Sequence, residues 1–219
     1  MQRLALFDLD NTLIDLDAAF RLWATEFSAE HGLDAEAAEW LVALDQEGLP
    51  HRESFFARTK ARFSLPDPVD ELWAAYRARM PFLVHCRPEV LAGLSDLRGA
   101  GWRVAIITNG TADNQLGKIQ RTGLADVVDG YALSGVEGVR KPERGLFDAA
   151  ARCCGLTLAA GGWMVGDRLA VDIAGGRAAG LRTIWVNPGR QSCVTHGADH
   201  VAADVVEAVT ILRTQKELG

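Results

Sequence analysis

Short apolar runs alternate with longer stretches of helical period along most of this chain. Leu4 to Phe7 is apolar and stops at Asp8. Comparable runs are Arg103 to Ile107, Val127 to Leu133, Trp163 to Val165 and Thr183 to Val186, each rich in β-branched or aromatic residues and bounded by Gly, Asp or Asn. Such runs predict buried strands. Between them, Pro88 opens a helical pattern carrying Val90, Leu91, Leu94 and Leu97, with Gly99 and Gly101 as its stop. Leu146, Phe147, Ala150 and Ala151 make a second stripe ended by Gly155, and Ile173 to Ala179 ends at Gly180. Strands alternating with helices imply an α/β fold: a doubly wound, Rossmann-like parallel sheet with helices on both faces.

The stretch 16–81 breaks this rhythm and contains no convincing strand. Phe20, Trp23 and Phe27 recur at helical spacing after Asp17, Trp40, Leu41 and Leu44 follow Asp34, and Phe55, Phe56 and Phe63 lie in a basic segment. Asp67-Pro68 reads as an N-cap with a first-turn proline ahead of Val69, Leu72, Trp73 and Tyr76. Nine of the sixteen aromatics fall here, enough for a separate small core. We therefore expect a helical domain over 16–81, inserted into a core domain of 1–15 and 82–219.

Composition narrows the function classes. With 29 acidic against 23 basic side chains, the net charge of −6 argues against a polyanion-binding surface, and hence against nucleic acid as a partner. No run approaches a membrane span, and carboxylates interrupt the N-terminal apolar run too soon for a signal peptide. Cys86, Cys153, Cys154 and Cys193 lack zinc-site spacing. Reduced thiols in a cytoplasmic protein are the expectation.

In an open parallel sheet, ligands bind beyond the carboxyl ends of the strands. The first strand ends Asp8-Leu9-Asp10-Asn11-Thr12 and the second Thr108-Asn109-Gly110. Lys141 opens the helix after the third, and the fourth ends Gly166-Asp167 with Asp172 five residues on. Carboxylates without His or Cys suit Mg²⁺. A lysine and a hydroxyl beside that cation would hold phosphoryl oxygens, and one carboxylate, ionised at neutral pH, could attack phosphorus.

Asp8-Leu9-Asp10-Asn11-Thr12-Leu13 resembles the first motif of the haloacid dehalogenase-like (HAD) hydrolase superfamily. Ile106 to Gly110 resembles its second, Lys141-Pro142 its third and Gly166 to Asp172 its fourth. A helical insertion between the first two motifs is similar to the C1 cap of subfamily I. The resemblance implies a Mg²⁺-dependent phosphatase acting on a small phosphorylated metabolite, as a monomer or homodimer. Asp8 would be the nucleophile and Asp10 the general acid/base. Thr108, Asn109 and Lys141 would hold the phosphoryl group. Asp8, the carbonyl of Asp10, and Asp167 would bind the metal, and Asp172 would bind a metal water or orient Lys141.

In the same family the dehalogenases lack an acid at the Asp10 position, because halide leaves without a proton. Asp10 therefore favours a phosphatase over the alternatives, a 2-haloacid dehalogenase or an inactive phospho-ligand binding protein of the same fold. Receiver domains, which carry their phosphorylated Asp after the third strand, fit less well. The resemblance further implies that cap residues select the substrate: Phe20, Trp23, His51, Arg52, Phe55, Phe56, Arg58 and Lys60 are candidates, with the basic run 52–62 available for a second anionic group. Asn11 stands where many relatives carry Gly, and Asn tolerates a left-handed turn nearly as well.

Overall fold

Six parallel strands run through the computed structural model, which describes residues 2–47, 52–189 and 197–214. Along the chain come β1 (Leu4–Phe7), α1 (Leu16–Glu30), α2 (Ala35–Gln46), α3 (Arg52–Phe63) and α4 (Val69–Arg79). Next are α5 (Pro88–Gly99), β2 (Arg103–Thr108), α6 (Ala112–Arg121), α7 (Leu124–Val127) and β3 (Gly130–Leu133). The remainder is α8 (Ser134–Glu137), α9 (Arg144–Cys153), β4 (Trp163–Gly166), α10 (Ala174–Ala178), β5 (Arg182–Val186), β6 (His200–Ala202) and α11 (Val205–Thr214). His51 and Cys193 lie outside the described residues.

The sheet order is β3-β2-β1-β4-β5-β6. Phe7 of β1 is in register with Ile106 of β2 on one side and with Val165 of β4 on the other. The chain thus winds outward in one direction through β2 and β3 and in the other through β4 to β6. The reversal lies between β1 and β4, where such sheets bind ligands. All four residues of β1 are fully buried, as expected of a central strand covered on both faces. Leu146, Phe147 and Ala150 of α9 pack with Leu4, Leu6 and Met164 in the core beneath it.

Three expectations from the sequence need correction, and one element is added. The third strand begins at Gly130, not Val127, because Leu124 to Val127 closes a helical turn after Gly123, which has φ 76°. Pro68, not Asp67, holds the N-cap position of α4. Lys141 does not open α9 but stands three residues ahead of it, in the turn before Arg144. β6 was not expected: it is three residues long, paired only with β5 among the described residues.

Contacts divide the chain into two compact units, residues 1–15 with 86–219, and residues 16–85. The second boundary falls four residues later than the sequence suggested. Met80–Phe82 continues α4 as a 3₁₀ turn, and the N–H groups of Leu83 and Val84 bond back to the Met80 carbonyl. No helix among the described residues is long and apolar enough to cross a membrane.

Within the helical unit the aromatics form one cluster. The Trp23 ring centroid lies 4.9 Å from those of Phe27 and Tyr76, 5.2 Å from Phe20 and 5.8 Å from Phe56. Asp34 caps α2 by accepting the Ala37 N–H. Removing a large ring from such a cluster costs about 3–5 kcal/mol. Trp23→Ala is expected to lower the thermal unfolding midpoint of this unit by at least about 5 °C, read by circular dichroism; an unchanged midpoint would mean that the cluster is not this unit's core.

Candidate active site

The loop after β1 is built to present two aspartates. The Asp8 N–H donates to the Val165 carbonyl (2.9 Å), extending the pairing with β4 one residue past the strand. The Leu9 carbonyl then accepts the N–H groups of Leu13 (2.9 Å) and Ile14 (3.1 Å), and the Asn11 N–H donates to the Ile14 carbonyl (2.8 Å). That tight turn puts Asn11 at φ 60°, a left-handed conformation that Asn accommodates. Thr12, one turn on from Asp8, donates its hydroxyl to Asp8 Oδ2 (3.1 Å).

Lys141 lies between two carboxylates. Its Nζ is 2.5 Å from Asp8 Oδ1 and 2.8 Å from Asp172 Oδ1, and the residue is 3% exposed. Its main chain is held by one side chain: Asn109 Nδ2 donates to the Lys141 carbonyl (3.0 Å), and Asn109 Oδ1 accepts the Lys141 N–H (2.8 Å). Asp172 is fixed in turn, because its Oδ2 accepts the Arg168 N–H (3.0 Å). Gly166 makes this possible. A Cβ there would lie 2.5 Å from Asp172 Cγ, so only glycine lets the carboxylate reach under the end of β4.

The electrostatics follow from burial. Desolvation pushes the Asp8 carboxyl well above the usual carboxylate range; Lys141 opposes the shift, while Asp172 and Asp167 add to it. Asp167 is pushed up to about 7, first by burial and then by the Asp172 charge. For Lys141, burial pulls downward but the two carboxylates more than offset it, so the ammonium is held charged. Burial pushes the Cys86 and Cys154 thiols up to about 11 and about 12, which leaves them neutral and inert.

Asp10, two residues from Asp8, has different partners. Lys118 Nζ donates to its Oδ1 (2.8 Å), and Gln115 Nε2 donates to its Oδ2 (3.0 Å). The same Gln115 nitrogen donates to Thr108 Oγ1 at 2.6 Å. Sequence reasoning missed both Lys118 and Gln115. The available signal was their i, i+3 spacing on the helix that follows Thr108-Asn109-Gly110; long polar side chains on a surface helix ordinarily read as solvated.

Of the residues singled out from the sequence, Asp8, Asp167, Asp172, Lys141 and Asn109 form one connected group, and Asp10 and Thr108 meet through Gln115. The proposed selectivity residues are accounted for within the helical unit. Phe20, Trp23 and Phe55 are 2%, 4% and 1% exposed in its aromatic cluster. Arg52 pairs with Asp45 and lies 5.3 to 5.5 Å over the rings of Phe20, Phe55 and Tyr76. Arg58 pairs with Glu47 at 2.5 Å. Phe20, Trp23, Phe55 and Arg52 thus pack within the bundle, while Arg58 lies on its exposed surface.

The residues present fit a hard divalent cation. Oxygen atoms of Asp8, Asp167 and Asp172 lie within 4.8 Å of one another. Asp167 Oδ1 is buried and has no hydrogen-bond partner among the described residues. A buried carboxylate oxygen without a donor, beside two other carboxylates, is the setting a cation neutralises.

Comparison with known proteins agrees with this geometry. A family model for haloacid dehalogenase-like hydrolases matches residues 2–180. A ribulose-1,5-bisphosphate 5-phosphatase from Halopiger xanaduensis is 32% identical, over 93% of this chain and 92% of its own. A glyceraldehyde 3-phosphate phosphatase from Pyrococcus abyssi is also 32% identical, over 87% and 83% respectively. Among solved structures, the HAD-hydrolase YfnB of Bacillus subtilis, bound to magnesium, superposes with a TM-score of 0.80 at 22% identity, covering 97% of this chain and 99% of its own.

Proposed function

Because this chain belongs to the haloacid dehalogenase-like hydrolase family, we propose that it is a phosphatase hydrolysing a small phosphomonoester through an aspartyl-phosphate on Asp8. The observation that carries this reading is the separate anchoring of two aspartates on one loop. Asp8 is paired with buried Lys141, while Asp10 is held elsewhere by Lys118 and Gln115. One carboxylate is thereby set as nucleophile and the other is left to handle protons.

In the first step a carboxylate oxygen of Asp8 attacks phosphorus. The bond from phosphorus to the ester oxygen breaks, and protonated Asp10 gives its proton to the departing alcohol. In the second step Asp10, now a carboxylate, takes a proton from water as that water attacks phosphorus. The bond from Asp8 to phosphorus opens, and inorganic phosphate leaves with Asp8 restored. Lys141 and Thr108 hold the non-bridging oxygens through both steps, aided by the Asn109 N–H. Asp8 and Asp167, with the Asp10 carbonyl, would hold Mg²⁺, and Asp172 would orient Lys141. A bound Mg²⁺ supplies charge that lets an anionic nucleophile approach an anionic phosphate.

Several relatives support a small-metabolite substrate. Beyond the two sugar-phosphate phosphatases, the pyrimidine 5'-nucleotidase YjjG of Escherichia coli is 31% identical over 83% of this chain. Asp10 also separates this reading from dehalogenation, because a departing halide needs no proton.

The test is release of inorganic phosphate from p-nitrophenyl phosphate and then from a panel of sugar phosphates and nucleoside monophosphates, with Mg²⁺ and with a chelator. Turnover that falls at least about 100-fold on chelation is expected for one or more members. No phosphate release across the panel, or halide release from a 2-haloacid, would overturn the reading.

A further inference from the structure

α6 turns two long polar side chains, Gln115 and Lys118, toward the protein interior beside the apolar Ile119. Gln115 is 1% and Lys118 2% exposed, while Leu116 on the same helix is only half-buried. Burying a lysine is unfavourable unless its charge is matched and its protons are used. Here the match is Asp10, 108 residues away in sequence, at 2.8 Å.

The amide of Gln115 has a defined orientation. Its nitrogen, not its oxygen, faces Asp10 Oδ2, which accepts one of its two protons at 3.0 Å. Its second proton is then spent on Thr108 Oγ1. A hydroxyl that has accepted a bond at its oxygen keeps its own proton to donate outward. Gly110, at φ 155°, leaves the room for this: a Cβ there would lie 2.8 Å from Gln115 Cγ.

From this network we infer that Gln115 and Lys118 are positioning residues which hold the Asp10 carboxyl, one donor per oxygen, in a fixed relation to the hydroxyl of Thr108. Proton delivery to the leaving group and grip on the phosphoryl oxygens are thereby registered to each other through a single amide nitrogen. The inference rests on the phosphatase reading above and adds to it two residues of α6.

A positioning role for an acid has a signature that a general loss of packing lacks. A misplaced acid hurts esters of weakly acidic alcohols most, because those leaving groups need the proton, and hurts esters of strongly acidic phenols least. The experiment measures kcat/KM, which is set by steps up to departure of the alcohol, for 2,4-dinitrophenyl, p-nitrophenyl and phenyl phosphate with Mg²⁺. Lys118→Met and Gln115→Met, both close in length to the parent side chains, are compared with the parent protein. The loss on phenyl phosphate is expected to exceed that on dinitrophenyl phosphate by about 10-fold or more in each variant.

Equal losses across the series in the two variants, or in whichever of them keeps the parent circular dichroism spectrum, would overturn the inference. If both unfold, Lys118→Arg and Gln115→Asn decide it by the same comparison. A parent protein inactive on all three esters and on the metabolite panel would count against the phosphatase reading itself, which is a different failure.

Discussion

Asp8→Asn is expected to abolish turnover, with kcat at or below about 10⁻⁴ of the parent value, equivalent to about 5.5 kcal/mol of barrier. An amide nitrogen has no lone pair to offer phosphorus, and its oxygen is a poor nucleophile. The substitution is close to isosteric. With the amide oxygen toward Lys141 and the NH₂ toward Thr12, whose hydroxyl can accept, both existing contacts keep a partner. The fold should therefore survive. Burial already holds Asp8 well above the ordinary carboxylate range, so replacing it with a neutral group also removes a repulsion with Asp167 and Asp172. An unfolding midpoint equal to or slightly above that of the parent is expected. Inactivity of a folded variant then speaks to chemistry. Activity above about one hundredth of the parent, after purification to a constant specific activity, would place the nucleophile elsewhere.

How much of this was legible from the residues differs by element. Asp8 and Asp167 could be found because each ends a short apolar run, and the alternation of strands and helices says where such ends converge. Lys141 was recognisable by resemblance, though not its exact place, since a turn three residues before a helix leaves no periodic mark. Lys118 and Gln115 left only an i, i+3 spacing, which a solvated helix face shows equally well. Their burial depends on Asp10, whose approach is a property of the folded sheet and not of the local sequence. The aromatics of 16–81 show the opposite limit. Helical spacing identified Phe20, Trp23 and Phe27 as a face, but the same spacing describes a wall lining a ligand and a bundle packed on itself; it is the ring-to-ring contacts that show Trp23 meeting Phe55, Phe56 and Tyr76 from other helices. β6 escaped because three residues are too few for a period.

Lys141→Met is expected to damage both activity and stability, and the two losses should respond differently to pH. In the parent protein one ammonium serves Asp8 and Asp172, at 2.5 and 2.8 Å, where neither carboxylate has much water. Without it two buried carboxylates face each other unpaired, which costs about 3–5 kcal/mol. The protein can escape part of this by taking up a proton on Asp8, whose pKa, already held above its unfolded value by burial, rises further once the ammonium is gone. The folded variant then binds more protons than the unfolded chain, and its stability falls as pH rises. The gap in unfolding midpoint between variant and parent should thus be wide near about pH 8 and narrow toward about pH 5. Added Mg²⁺ should also narrow it, by replacing the lost positive charge. Activity should not follow stability. A proton on Asp8 removes the nucleophile, so the acidic conditions that restore the fold leave kcat on the order of 10³-fold or more below the parent. A variant equally stable at both pH values, or one whose activity returned with its stability, would mean that Lys141 is a structural cation and not part of the phosphoryl grip.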